Sequence, residues 1–209
     1  MEVKLIAVTN YLEGDSPDEL LEHAGRVSYR SRSKGKPEKF IRARVREGHE
    51  SIIEHASATF EITGISRACS HQLVRHRLAS YTQESQRRVD MSNPQFVIPP
   101  DIAANARAME IWEGVVDELK AAYQELRALD VEKEDARFLL PNATATRIVM
   151  SANFREFLHL FRLRISPEAQ WEIRGVALRM LELLYPIAPG VFGDLREELR
   201  ANYPSFFAG

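Results

Sequence analysis

The stretch RHRLASYTQESQRR, from Arg75 to Arg88, gathers four arginines, one histidine, four hydroxyl side chains and two glutamines around a single carboxylate, Glu84. Guanidinium groups keep their charge and grip phosphate oxygens through paired hydrogen bonds, which serine hydroxyls can complete. From Arg67 to Arg88 there are five arginines and two histidines against that one acid. By residue type alone, three chemistries fit: a pocket for a small anion or nucleotide, a patch for RNA, or solvated charge on a structural domain. Further arginines follow at Arg137, Arg147, Arg155, Arg162 and Arg164, in or beside apolar stretches. Arg164 stands between Leu163 and Ile165, and an arginine drawn into such surroundings needs a partner.

The rest of the chain narrows these choices. Its 28 Lys and Arg against 30 Asp and Glu give a formal charge of -2, so no global attraction to nucleic acid is implied. The only cysteine, Cys69, excludes an internal disulfide framework and falls early in an expected helix, the ordinary place for a buried, inert thiol. No Gly-x-Gly-x-x-Gly follows a strand, no P-loop pattern occurs, and no HExxH is present. His49 and His55, with Glu50 and Glu54 between them, lack a diagnostic ligand spacing, so no metal is expected. The opening MEVKLIAVTNYLEGD has no secretory pattern, and no apolar run approaches membrane-spanning length. The expectation is a cytoplasmic protein with no membrane partner.

Elements must position these residues. Val3 to Val8 predicts a strand, and Ser16 with Pro17 predicts the start of a helix through Arg30. Pro37 predicts a second helix ending near Gly48, after an exposed basic loop. Ala56 to Ile65 alternates as a strand with Phe60 and Ile62 on one face. Ser66 predicts a cap for a helix running through Ala79, with Arg67, His71 and Arg75 on one face. Ile102 to Leu129 predicts one long helix, whose row of Met109, Trp112, Val116, Leu119, Tyr123 and Leu126 is packing against the fold or a partner subunit. A helix over residues 132–140, a strand over Thr146 to Ala152 beside the Ala56 strand, and a helix begun by Asn153 follow. Ser166 and Pro167 predict the start of the next helix, broken at Pro186 and Pro189. This order lacks regular strand–helix alternation, so the expected class is α+β, a small mixed or antiparallel sheet packed with several helices in a single domain over residues 1–209.

The spacing within the basic stretch is more specific than its charge. Arg75-His76-Arg77, Ser80, Ser85 and Arg87 resemble the RHRxxSxxxxSxR signature of the flavin-dependent thymidylate synthases. EGHESIIEH from Glu47, RFLLPNATATR from Arg137, SANFREFLHLFRLR from Ser151 and EAQWEIR from Glu168 resemble other segments of that family, in the same order. The resemblance covers nearly the whole chain and implies that family's fold. It also implies reductive methylation of dUMP to dTMP, with FAD as cofactor, and methylenetetrahydrofolate and NADPH as co-substrates. A homotetramer with sites at subunit interfaces is implied too. No cysteine attacks the uracil in this family, in keeping with the reading of Cys69. The alternative is a non-catalytic RNA- or nucleotide-binding module.

The resemblance also implies roles for individual residues. The dUMP contacts would come from Gln72, Leu73, Val74 and Arg75, from Gln83, Glu84, Ser85, Gln86 and Arg87, and from Arg137. The FAD contacts would come from Ser51, Glu54, Arg75, His76, Arg77, Gln83, Asn153, Arg155 and His159. Arg164 would be the catalytic residue, a fixed cation near O2 and N3 of the pyrimidine. Ser85 and Arg87 match the phosphate side, with the backbone near Glu84 as a further donor. Tyr81 either supports the loop or stacks on a base. Gln83 replaces an acid seen in some members, and Arg88 falls where tyrosine is common.

Overall fold

The computed structural model describes residues 1–28 and 30–207. β1 (Glu2–Val8) forms where the apolar, branched run predicts it. Helix α1 (Pro17–Val27) begins as Ser16 Oγ accepts from the Glu19 N–H at 3.3 Å, with proline in the first turn. It stops short of the predicted Arg30, and Tyr29 of that prediction lies outside the described residues. α2 (Pro37–Arg46) restarts at Pro37 and closes before Gly48, whose φ of 82° suits glycine. A 3₁₀ turn over Glu50–His55 leads into β2 (Ser57–Ser66), where Ala58, Phe60 and Ile62 alternate inward.

Ser66 caps α3 (Arg67–Leu73) by accepting from the Cys69 N–H at 3.0 Å. This helix ends at Leu73, not at the predicted Ala79, so Arg75 does not share a helix face with Arg67 and His71. The chain turns over residues 74–79 and then enters a strand the sequence reading missed, β3 (Ser80–Gln83), which joins the sheet. Its burial alternates, with Tyr81 and Gln83 half-buried and Ser80 and Thr82 exposed. Sheet pairing outweighs local helix propensity here.

The predicted long helix is two, α4 (Pro100–Ala103) and α5 (Ala106–Ala128), because Asn105 turns out of the helix and accepts from the Ala108 N–H. The segment before Pro141 is likewise divided, into α6 (Lys133–Ala136) and a 3₁₀ turn over Arg137–Leu139. β4 (Ala145–Asn153) buries Thr146, Ile148, Met150 and Ala152 on one face. Asn153 Oδ1 then caps α7 (Phe154–Arg164) by accepting from the Glu156 N–H at 2.9 Å. Ser166 and Pro167 form a turn, closed by the Ala169 N–H donating to the Ser166 carbonyl, and do not start a helix. Gln170 performs that cap for α8 (Trp171–Leu184), its side-chain oxygen accepting from the N–H groups of Glu172 and Ile173. Pro189, read only as a breaker, opens α9 (Pro189–Asn202), and α10 (Pro204–Phe207) follows.

The class is the expected α+β, with one four-stranded sheet in the order β1-β2-β4-β3. β1 runs antiparallel to β2, with the Thr9 N–H, just past β1, donating to the carbonyl of Ser57 at the start of β2. β2 runs antiparallel to β4, with Thr59 Oγ1 and Ser151 Oγ 2.8 Å apart and the Arg67 N–H donating to Thr144 O. The chain divides into two compact units of discontinuous sequence. The first holds Met1–Glu2, Thr63–Leu73 and Thr82–Ile148, and the second Val3–Ile62, Val74–Tyr81 and the chain from Val149. The first has a small core of Met91, Tyr123 and Ala136, ringed by Leu126, Val131 and Leu140. The second has an aromatic core in which Phe60 meets Phe157 edge-on, Phe157 stacks on Phe161, and Phe192 meets both Phe154 and Phe161. Among the described residues no helix is long and apolar enough to cross a membrane.

Candidate active site

In the second unit the chain leaves α3 through a turn that alternates in exposure: Arg75 out, His76 in, Arg77 out. Only 3% of His76 is exposed, and both its ring nitrogens meet protein groups. Arg164, half-buried at the end of α7, donates from Nε to His76 Nε2 at 3.0 Å. On the other side His76 Nδ1 lies 3.1 Å from Glu156 Oε1. The Tyr81 hydroxyl donates to the His76 carbonyl at 3.0 Å, so this tyrosine braces the turn. The His159 ring stands edge-on to His76, 5.7 Å between centroids.

The electrostatics follow from this packing. Burial pulls the His76 pKa down to about 4, helped by the charges of Arg164 and His159, so the ring is neutral at physiological pH. Burial raises the carboxyl of Glu156, partly opposed by His159. It also pushes the Tyr81 phenol far above its ordinary range, so Tyr81 stays a hydroxyl donor.

Around this buried centre lie exposed polar groups of the same unit. Arg155 is ion-paired with Glu54, and its Nε lies 3.7 Å from Glu50. Glu50 also accepts from Arg162 at 2.6 Å. Ser51 and His159 are exposed, and Asn153 is half-buried with its side-chain oxygen spent on the α7 cap.

The first unit holds the other predicted residues. Gln83 directs its amide nitrogen inward, donating to Ser70 Oγ at 2.9 Å and Thr146 Oγ1 at 3.2 Å. The Glu84 N–H donates to Arg147 O at 2.9 Å, so that backbone donor is committed to the fold and not to a phosphate. Ser85 and Arg87 are exposed and Gln86 is half-buried. Arg87 is paired with Glu134, with Nη2 to Oε2 at 2.6 Å. Arg137 donates from Nε to the Glu134 carbonyl at 3.0 Å. Gln72 is half-buried at the end of α3, donating weakly to Ala68 O at 3.4 Å, and Leu73 is fully buried. Val74, in the second unit, is 37% exposed.

Several residues of these networks have no site role predicted from the sequence. Arg67 has its pKa lowered by burial and by the nearby charge of Arg137, with Glu84 opposing. Two cations sharing a half-buried surface attract an anion. Ser70 and Thr146 anchor Gln83, and Glu134 competes for Arg87. The Asn153-x-x-Glu156 spacing signals a helix start; nothing local ties Glu156 to a histidine 80 positions away. Cys69 is fully buried. Among the described residues no group of three or more His, Cys, Asp or Glu is placed to hold a metal ion.

A sequence profile of the family described as "Thymidylate synthase complementing protein" matches residues 4–190. The chain is similar to a flavin-dependent thymidylate synthase of Mycobacteroides abscessus, 39% identical over 223 aligned positions that cover 93% of this chain and 89% of that protein. It is 48% identical over 149 positions to the protein of the same name from Geobacter sulfurreducens, covering 70% of this chain and 64% of that one. With the one from Pyrococcus furiosus it shares 52% over 139 positions, covering 65% and 57%. The alignment thus spans under two thirds of the latter two relatives and nearly all of the first. Arg75-His76-Arg77 and the residues that fix its turn lie within the matched range. The chain belongs to the flavin-dependent thymidylate synthase family.

Proposed function

We propose that this chain converts dUMP to dTMP by reductive methylation, with methylenetetrahydrofolate as carbon donor, NADPH as reductant and FAD as cofactor. The observation that carries this reading is Cys69. The only thiol of the chain is fully buried, so in this reading activation of the uracil falls to a cation, Arg164, half-buried and hydrogen-bonded to His76. A guanidinium set against O2 and N3 stabilises negative charge on the ring and makes C5 the nucleophile. Arg67 and Arg137, with Ser85 and Arg87, offer the donors a nucleotide phosphate needs. Gln72, Leu73, Val74 and Arg75, with Gln83, Glu84 and Gln86, complete the dUMP contacts in this reading.

The residues suit a flavin nucleotide as well. Arg75, Arg77 and Arg155 are exposed cations for a diphosphate, and Ser51, Glu54, His159 and Asn153 add hydrogen-bonding groups. His76 and Gln83 complete the FAD contacts in this reading. When bound and reduced, FAD supplies the hydride. The protein positions the pyrimidine, holds its charge and excludes water.

We take residues 1–209 as one functional domain, in the cytoplasm, assembled as a homotetramer with sites at subunit interfaces. The test is a reconstitution with FAD, dUMP, methylenetetrahydrofolate and NADPH, reading dTMP by chromatography. Absence of dTMP overturns the reading. Cys69→Ala should retain turnover, and complete loss in a folded variant would reject the cysteine-free route. Arg164→Ala should lower turnover by about two orders of magnitude with flavin content nearly unchanged.

A further inference from the structure

We infer that Glu156 is a positioning residue of this site: through His76 it fixes the orientation of the Arg164 guanidinium. The inference rests on the reading of Arg164 as the group set against the pyrimidine.

The hydrogen bonds fix the proton positions. An arginine Nε–H only donates, so at 3.0 Å His76 Nε2 must offer its lone pair. The proton of the neutral ring is then on Nδ1, where Glu156 Oε1 accepts it at 3.1 Å. The two side chains are 2% and 5% exposed, so water does not substitute for either partner. Arg164 and His159 both disfavour an imidazolium, and Tyr81 is held to the His76 carbonyl as a donor.

This arrangement answers a specific difficulty. A cation meant to stabilise charge on a substrate must be held still. The His76 imidazole acceptor holds its Nε–H. The imidazole can play that part only in the Nδ1–H tautomer, and Glu156 selects that tautomer. Glu156 occupies the third position of α7, where a capping box would send its carboxylate back to the start of the helix. Here the carboxylate meets His76 instead, and it is buried to do so.

The test compares the parent with Glu156→Met, which keeps the bulk and removes the acceptor, and Glu156→Gln, which keeps an acceptor oxygen. Magic-angle-spinning ¹⁵N spectra of histidine-labelled protein, with the His76 signals assigned by their loss in His76→Asn, report the tautomer directly. We expect neutral Nδ1–H in the parent at pH 7, a mixed or reversed tautomer in Glu156→Met, and the parental tautomer in Glu156→Gln. At saturating substrates kcat should fall about 10- to 100-fold in Glu156→Met, with FAD content retained and most of the loss recovered in Glu156→Gln. A parental His76 that is protonated or carries its proton on Nε2 overturns the proposal, whatever the variants do. So does parental kcat in Glu156→Met. A parent that makes no dTMP refutes the function reading instead, while its ¹⁵N spectrum still judges the Glu156–His76–Arg164 arrangement.

Discussion

Arg87, a proposed phosphate ligand, is held by Glu134 across an exposed surface, with both side chains at least half-accessible. A phosphate must therefore displace a carboxylate. An exposed pair of this kind is worth about 0–1 kcal/mol, which converts to at most about fivefold in affinity. Glu134→Gln should thus tighten dUMP binding by about two- to fivefold, and the gain should shrink at high salt. Calorimetric titration with dUMP at low and high ionic strength checks this, and unchanged affinity in Arg87→Ala would remove Arg87 from the phosphate site. At this scale the sequence singles out candidate residues and is silent about their partners. Arg164 stood out between two apolar neighbours, but the histidine that holds it is 88 positions away. Chain proximity cannot encode such a pair; only the packed fold brings it together.

Among the elements, the caps were readable wherever the capping side chain lies next to its helix: Ser16, Ser66 and Asn153 each bond as their positions predict. Ser166 failed because Gln170, a poorer capping type, is the residue the α8 backbone reaches. β3 was missed since four residues give little period to read, and its pairing partner lies in β4. The packing of α1 on α9 holds a further consequence. Asp18, 4% exposed in the first turn of α1, accepts from the Gly190 N–H at 2.8 Å. A Cβ at Gly190 would come within 2.8 Å of that carboxylate oxygen and 3.0 Å of the Glu38 carbonyl, so glycine permits the contact. Burial raises the Asp18 pKa from 3.8 to about 6, against the pull of the Gly190 N–H and Arg42. A raised folded-state pKa adds stability below the unfolded value, and that stability is lost as pH rises through about 6. Between pH 5 and pH 7.5 the parent should lose about 1 kcal/mol from this group. In Asp18→Asn that part of the pH dependence should vanish, as urea unfolding at the two pH values would show. Equal pH dependence in both proteins would mean that Asp18 ionises normally.

For the whole molecule, the broad class and the family were legible, because α+β element order and a signature of fixed spacing survive small errors in helix ends. The assembly is an expectation from the family resemblance alone, since a lone chain carries no partner. α5 nevertheless leaves Ile111 57% and Val115 50% exposed, while Tyr123 of the same helix is fully buried. If this face joins subunits of the proposed tetramer, Ile111→Glu with Val115→Glu should shift native mass spectra toward smaller species without unfolding the chain. A persistent tetramer would place the interface elsewhere. The turn after α3 has a different reach, into the kinds of change a lineage of such proteins can accept. Its parity, arginine out, histidine in, arginine out, depends on counting residues from Leu73 to the first residue of β3. A substitution at exposed Leu78 leaves that count intact. A one-residue insertion or deletion before His76 would turn an arginine toward the pocket facing Glu156 and expel the imidazole. Related chains should therefore drift in letters through this segment and hold its length fixed.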